Sequence, residues 1–146
     1  VTGTKILTIT WRRLLAGGET CPRCGATEAE VDTAVTLLRQ SLEPLGFEVS
    51  LVKQELTMMQ FKQDTLQSNS IRINGRLLEE WLGGSTGQSV CCDVCGSNDC
   101  RTVEVKGDVY EFIPADLVVK AGMLAAAQLM GACDCANDQP EHSCCS

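Results

Sequence analysis

The sequence predicts an α/β domain: a strand–helix–strand unit, then a hairpin and a closing helix, with a cysteine-rich insertion before that helix. Three observations carry this. Residues 5–11 and 47–52 alternate apolar and polar side chains and flank a stretch with helical spacing. Asn74-Gly75 follows a short β-branched run and is the strongest hairpin signal in the chain. A last apolar stripe opens after Pro114, a residue suited to the first turn of a helix. Length agrees: 146 residues, 44% of them hydrophobic, make one domain able to bury a core without disulfides.

Taken in order, residues 5–11 form the first strand, and 12–20, with Gly17-Gly18, read as a connector. Thr27 and Glu30 have capping-box spacing and place the first helix start at Thr27. Val31, Ala34, Val35, Leu38, Leu42 and Leu45 supply its inward stripe, and Pro44 and Gly46 mark its end. A helix of that length between two strands implies that the strands are parallel. Residues 55–67 suggest a short helix with Met58, Met59 and Phe61 inward. Residues 76–82 fit a return strand or a short helix equally, and 83–88 read as a flexible loop. A second hairpin, 102–113, turns at Lys106-Gly107. In the closing helix Leu117, Val118, Ala121, Leu124, Ala125 and Leu129 face inward, and Met123 is core filler. The domain spans residues 1–130 with its insertion at about 83–113, and 131–146 form a flexible tail.

Composition narrows the function. Twelve Lys and Arg against nineteen Asp and Glu give a net charge of −7, which argues against a nucleic-acid partner. Aromatic residues at 4% offer no base-stacking platform. His142 is the only histidine, so hydrolytic chemistry built on a central histidine base is improbable. The best apolar run, 117–130, is interrupted by Lys120 and Gln128 and falls short of the roughly 18–20 residues that span a bilayer. The opening residues carry no signal-peptide pattern, so the expected compartment is the cytoplasm. There, ten cysteines read as redox thiols or metal ligands rather than structural bridges.

Cys21-Pro22-Arg23-Cys24-Gly25 lies between the first strand and the first helix. A thiol near a helix N-terminus meets unpaired N–H groups and the positive end of the macrodipole, which favour thiolate. Cys21 is the candidate attacking thiolate and Cys24 the candidate resolving thiol of a disulfide exchange. Arg23 between them adds positive charge. The other reading of this Cys-Pro-x-Cys-Gly is a zinc knuckle.

The order strand, Cys-Pro-Arg-Cys, helix, strand, hairpin and helix resembles the thioredoxin-like superfamily. More closely, three segments are similar to the DUF2703 family: Glu19-Thr20-Cys21-Pro22-Arg23-Cys24-Gly25; residues 68–76 with Leu78-Glu79-Glu80-Trp81; and Cys91-Cys92-Asp93-Val94-Cys95 through Cys100 to Val105. The resemblance covers about residues 4–126 and implies a thioredoxin-like fold, with no activity attached. One departure is clear. Thioredoxins place a cis-proline opposite the active thiols, and this chain has Ser68-Asn69-Ser70 there.

The second cluster, Cys91, Cys92, Cys95 and Cys100, admits two readings. It forms a self-contained site for a soft ion (zinc, copper, mercury, arsenic as As(III), or an iron–sulfur cluster), or a second redox centre. Alternatively, Cys92 and Cys95 join Cys21 and Cys24 in one structural four-thiolate zinc site. Cys133, Cys135, Cys144 and Cys145, with His142, give the tail a third set of candidate soft-metal donors. The expected partners are a thiol or disulfide protein or a soft metal or metalloid ion, and no organic cofactor is expected.

Overall fold

A computed structural model describes residues 5–14, 22–90 and 99–131. Strand β1 (Lys5–Leu14) leads to helix α1 (Pro22–Leu42) and strand β2 (Phe47–Leu56). Helix α2 (Met58–Gln63) and a 3-10 turn (Thr65–Gln67) precede strands β3 (Ser70–Ile73) and β4 (Arg76–Leu77) and the one-turn helix α3 (Leu78–Trp81). Strands β5 (Ser85–Val90), β6 (Asp99–Val105) and β7 (Asp108–Tyr110) follow, and helix α4 (Ala115–Leu129) closes the described chain.

The main sheet has the order β2-β1-β3-β4, with β1 and β2 parallel and the other pairings antiparallel. This is the thioredoxin-like α/β arrangement expected from the sequence. Alternation along the strands sets its faces. Leu7, Ile9, Trp11, Phe47, Val49, Ile71 and Ile73 are buried, whereas Ile6, Glu48 and Val52 are exposed. The buried face meets Val31, Ala34, Val35, Leu38 and Leu42 of α1 and Leu117, Val118, Ala121 and Ala125 of α4. The two helices touch closely because Gly122 has no side chain: a Cβ there would stand 2.7 Å from a Leu38 methyl. The β3–β4 hairpin turns on Asn74 and Gly75 at φ 51° and 82°, the left-handed pair this tight turn demands.

The insertion is a second antiparallel sheet, β5-β6-β7. Its central strand carries Cys100, Arg101, Thr102 and Val103 into the interior. Arg101 fastens it to the main domain. Its guanidinium donates to the Leu66 carbonyl at 2.5 Å, to the Glu79 carboxylate, and to Thr86 Oγ1 at 3.1 Å, and Thr86 in turn donates to Glu79 at 2.6 Å. Both charged side chains are under a tenth exposed.

Several sequence expectations are corrected. Helix α1 starts at Pro22, not at Thr27. The Thr27–Glu30 pair caps a different element: Thr27 Oγ1 accepts the Ile113 N–H and Glu30 Oε1 the Ala115 N–H, each at 3.0 Å. Pro114, at the N-cap of α4, brings no side-chain cap of its own, so α1 supplies it across the core. Strand β1 runs on through residues 12–14, which read as connector, because Arg12–Leu14 keep their pairing with Gln54–Leu56. Residues 85–88 are strand rather than flexible loop, paired with β6. Met58, Met59 and Met123 are exposed, not core filler, as are Leu45, Leu124 and Leu129. On α4 the small residues Gly122 and Ala126 are buried in place of the leucines, since close helix contact favours small side chains. The flexible-tail expectation concerns residues beyond 131, which lie outside the described residues.

Two stability predictions follow from these contacts. Thr27→Val keeps shape but orphans the buried Ile113 N–H, and a urea melt is expected to show a loss of about 1–3 kcal/mol. Glu79→Leu strands the Arg101 charge inside and is expected to cost about 3–5 kcal/mol, whereas Glu79→Leu with Arg101→Met recovers most of that. A double variant no more stable than the single one would show that the pair is not the fastening it looks to be.

Candidate thiol site

Helix α1 opens at Pro22, a residue that fits a first turn because its missing N–H would have had no intrahelical partner. Cys24 is therefore the third helical residue, inside the turn whose amides lack helical acceptors and where the macrodipole is felt. Its side chain is only 2% exposed. Its sulfur stands 3.7 Å from Ser68 Oγ. Ser68 ends the 3-10 turn and comes just before β3, the place where the thioredoxin resemblance looks for a cis-proline. The described residues contain no cis peptide bond.

The Ser68–Asn69 bend is tied to the end of β1. Leu14 N–H donates to Ser68 Oγ at 3.1 Å, Asn69 N–H to the Arg12 carbonyl at 2.7 Å, and the Trp11 indole N–H to Asn69 Oδ1 at 3.0 Å. Asn69 adopts φ 61°, the left-handed region that asparagine tolerates better than most residues. Ser68, Asn69 and Ser70 are all buried. The sequence flagged this bend only for its lack of proline, and its role as the neighbour of Cys24 was missed. Its position just before the hairpin strand was the available signal.

A charge cluster holds the start of α1 on the sheet. Glu28, one turn beyond Cys24, accepts from Arg13 of β1 at 2.6 Å and from Lys53 of β2 at 3.0 Å, and Lys53 also reaches Asp32 at 3.1 Å. The Arg13 guanidinium lies over the Trp11 ring at 4.9 Å. Hydrogen bonds from Lys53 and, after the opposing pull of burial, from Arg13 hold the Glu28 carboxyl below its ordinary 4.5. Burial pulls Lys53 down, but its bonds to Glu28 and Asp32 together raise it above its ordinary 10.5.

Of the second cluster, Cys100 is described: it lies within β6, is 4% exposed and is disulfide-bonded. Cys24 and Cys100 share one buried cluster. The 65–68 segment stands between their surroundings, since Ser68 meets Cys24 and the Leu66 carbonyl receives Arg101, the residue after Cys100. Cys21, Cys91, Cys92, Cys95, Cys133, Cys135, His142, Cys144 and Cys145 lie outside the described residues. Among the described residues no group of three or more His, Cys, Asp or Glu is placed to hold a metal ion, and no helix is long and apolar enough to cross a membrane.

The fold and this site define an α/β protein of thioredoxin-like arrangement with a Cys-x-x-Cys motif at the opening of its first helix. More particularly, the chain belongs to the family described as a domain of unknown function, DUF2703, whose profile matches residues 7–122. It is similar to an uncharacterized protein of Archaeoglobus fulgidus, 50% identical over 112 residues that cover 77% of this chain and 82% of the archaeal one. No solved structure matches. The family match includes both Cys-x-x-Cys pieces and ends before the tail cysteines.

The charge cluster has a pH signature. A carboxyl held below its ordinary value stabilises the fold above that value, and the contribution disappears as pH falls through the folded-state value. Glu28 therefore adds stability that is complete above pH 4.5 and is lost on further acidification. Lys53 carries the opposite limb: its contribution is complete below 10.5 and is lost as pH rises through its raised value. Thermal melts are expected to show a shallower acid limb for Glu28→Gln than for the parent. Parallel acid limbs would remove Glu28 from the account.

Proposed function

We propose that this protein works through sulfur. The Cys21/Cys24 pair exchanges disulfides with a thiol or disulfide partner protein, or captures and hands over a soft ion (mercury, arsenic, copper or zinc) as cargo. Cys21 attacks and Cys24 resolves. The observation that carries this reading is the place of Cys24: first turn of α1, buried, sulfur beside the Ser68 hydroxyl. A resolving thiol acts only after a mixed disulfide has formed next to it, so it needs shelter from outside reagents and reach to its neighbour. Two residues of spacing supply the reach.

The disulfide at Cys100 is compatible with redox chemistry in the second cluster. In this reading Cys91, Cys92, Cys95 and Cys100 act as a second redox or soft-metal centre. Cytoplasmic residence fits this chemistry, because a reducing pool regenerates the dithiol after each turnover. The tail cysteines Cys133, Cys135, Cys144 and Cys145 serve as auxiliary donors outside the family domain.

Free-thiol titration and elemental analysis of protein purified without reductant test this. The expected result is a reducible Cys21–Cys24 disulfide, insulin reduction abolished by Cys21→Ser, and a trapped mixed disulfide in Cys24→Ser. Uptake of Hg²⁺ or As(III) that requires both clusters would assign the ion as cargo. One zinc per chain released only on unfolding, with no reducible Cys21–Cys24 disulfide, would overturn the reading in favour of a structural site formed by Cys21, Cys24, Cys92 and Cys95.

A further inference from the structure

We infer that Ser68 is a positioning residue: its hydroxyl donates a hydrogen bond to the Cys24 sulfur in the thiolate form and so sets the redox balance of the Cys21/Cys24 pair. This rests on the thiol-exchange reading and deepens it.

The direction of the bond follows from what surrounds the hydroxyl. The Leu14 N–H stands 3.1 Å from Ser68 Oγ, and a backbone amide can only donate. One lone pair of the oxygen is therefore occupied, while its hydrogen stays available. The other hydrogen-bond partner of that oxygen among the described residues is the Cys24 sulfur, at 3.7 Å. Ser68 is 2% exposed, so bulk water does not compete for the hydrogen. The oxygen is also held in place from several sides. The Ser68 N–H bonds the Thr65 carbonyl at 3.4 Å, and the next residue, Asn69, is fixed by the Arg12 carbonyl and the Trp11 indole.

The effect on exchange comes from how the sulfur changes. Cys21 thiolate attacks a partner disulfide, forming a mixed disulfide and releasing the first partner thiolate. The Cys24 sulfur then attacks Cys21, forming the intramolecular disulfide and releasing the second partner thiolate. Two electrons pass to the partner, and the two protons of the dithiol end on its two thiols. Before that second attack Cys24 is a thiolate and cannot donate, so the bond must run from Ser68. Afterwards its sulfur is in a disulfide and accepts poorly. The same contact is present in the resting reduced pair, where the Cys24 sulfur can hold it as thiol and holds it more strongly as thiolate, and the disulfide loses it; the hydroxyl thus favours the reduced pair, and a stabilised reduced form makes a couple more oxidising.

The test is the reduction potential of the Cys21–Cys24 couple, read by thiol trapping in glutathione buffers. Ser68→Ala removes a hydrogen bond that the reduced pair makes and the disulfide does not, and is expected to shift the equilibrium with glutathione by about tenfold toward oxidised protein. For this two-electron couple that is about 30 mV toward a more reducing potential. Ser68→Thr, which keeps the hydroxyl, is expected to stay near the parent. Should Ser68→Ala not fold, Ser68→Thr and Ser68→Val, equal in size and differing in the hydroxyl, carry the same comparison. A lower melting temperature with an unchanged potential would overturn the inference, leaving Ser68 only a support for Leu14. Absence of a Cys21–Cys24 disulfide in the parent at every glutathione ratio would overturn the thiol reading itself and the inference with it.

Discussion

The bend at Ser68–Asn69, bonded onto the last residues of β1, is the constraint on which the arrangement turns. Three donors that would otherwise be buried without acceptors are met there: the Leu14 amide, the Asn69 amide and the Trp11 indole. Leaving such a group unmet costs about 1–3 kcal/mol, enough to hold Asn69 in a backbone conformation that most residues avoid. Because the bend is anchored to β1, it fixes where β3 begins and hence the pairing of Arg12 with Ser70 through Ile9 with Ile73. A slip of one residue would turn Ile71 and Ile73 out of the core. The same anchoring brings Ser68 against the first turn of α1, so sheet register and thiol environment are set by one set of bonds.

The opening of α1 is held by side chains acting across elements rather than along the helix. Arg13 and Lys53 converge on Glu28 from two parallel strands, and α1 carries no acidic residue in its first turn. The positive end of the helix near Cys24 is therefore not neutralised from within the helix. One turn on, Thr27 and Glu30 satisfy the backbone where the chain enters α4. The first helix so organises the last one: the chain leaving the three-strand insertion is tied back to α1 as it enters α4.

Much of this was legible in the sequence. The alternation of residues 5–11 and 47–52 and the spacing of Val31, Val35, Leu38 and Leu42 gave the strand–helix–strand unit, and Asn74-Gly75 gave the hairpin. What failed did so for tertiary reasons. Thr27 and Glu30 have the local geometry of a capping box, but their partners lie in residues 113–115, and spacing cannot distinguish a near amide from a distant one. Residues 85–88 look like a loop because they contain no apolar alternation and follow and include glycines, which are depleted in strands, yet β6 beside them supplies the pairing. Leu124 and Leu129 satisfy helical periodicity, but α1 comes so near at Gly122 that small residues take the inner positions. At the site, Cys24 could be singled out by motif, whereas Ser68 could not, because a serine has no signature until its neighbours are known.

The relation between the two cysteine groups is likewise a product of folding. Cys24, on α1, and Cys100, on β6, are far apart in the chain, yet Cys24 and Arg101, the residue after Cys100, both meet the short segment 65–68. Its carbonyl at Leu66 is bonded by Arg101 and its last hydroxyl faces Cys24, so β6 and the bend are joined through the guanidinium. Arg101 cannot relax independently, because the Glu79 carboxylate and Thr86 hydroxyl engage the same group from the other side. Among the described residues, the connection between the surroundings of Cys24 and those of Cys100 is therefore the backbone from Leu66 to Ser68.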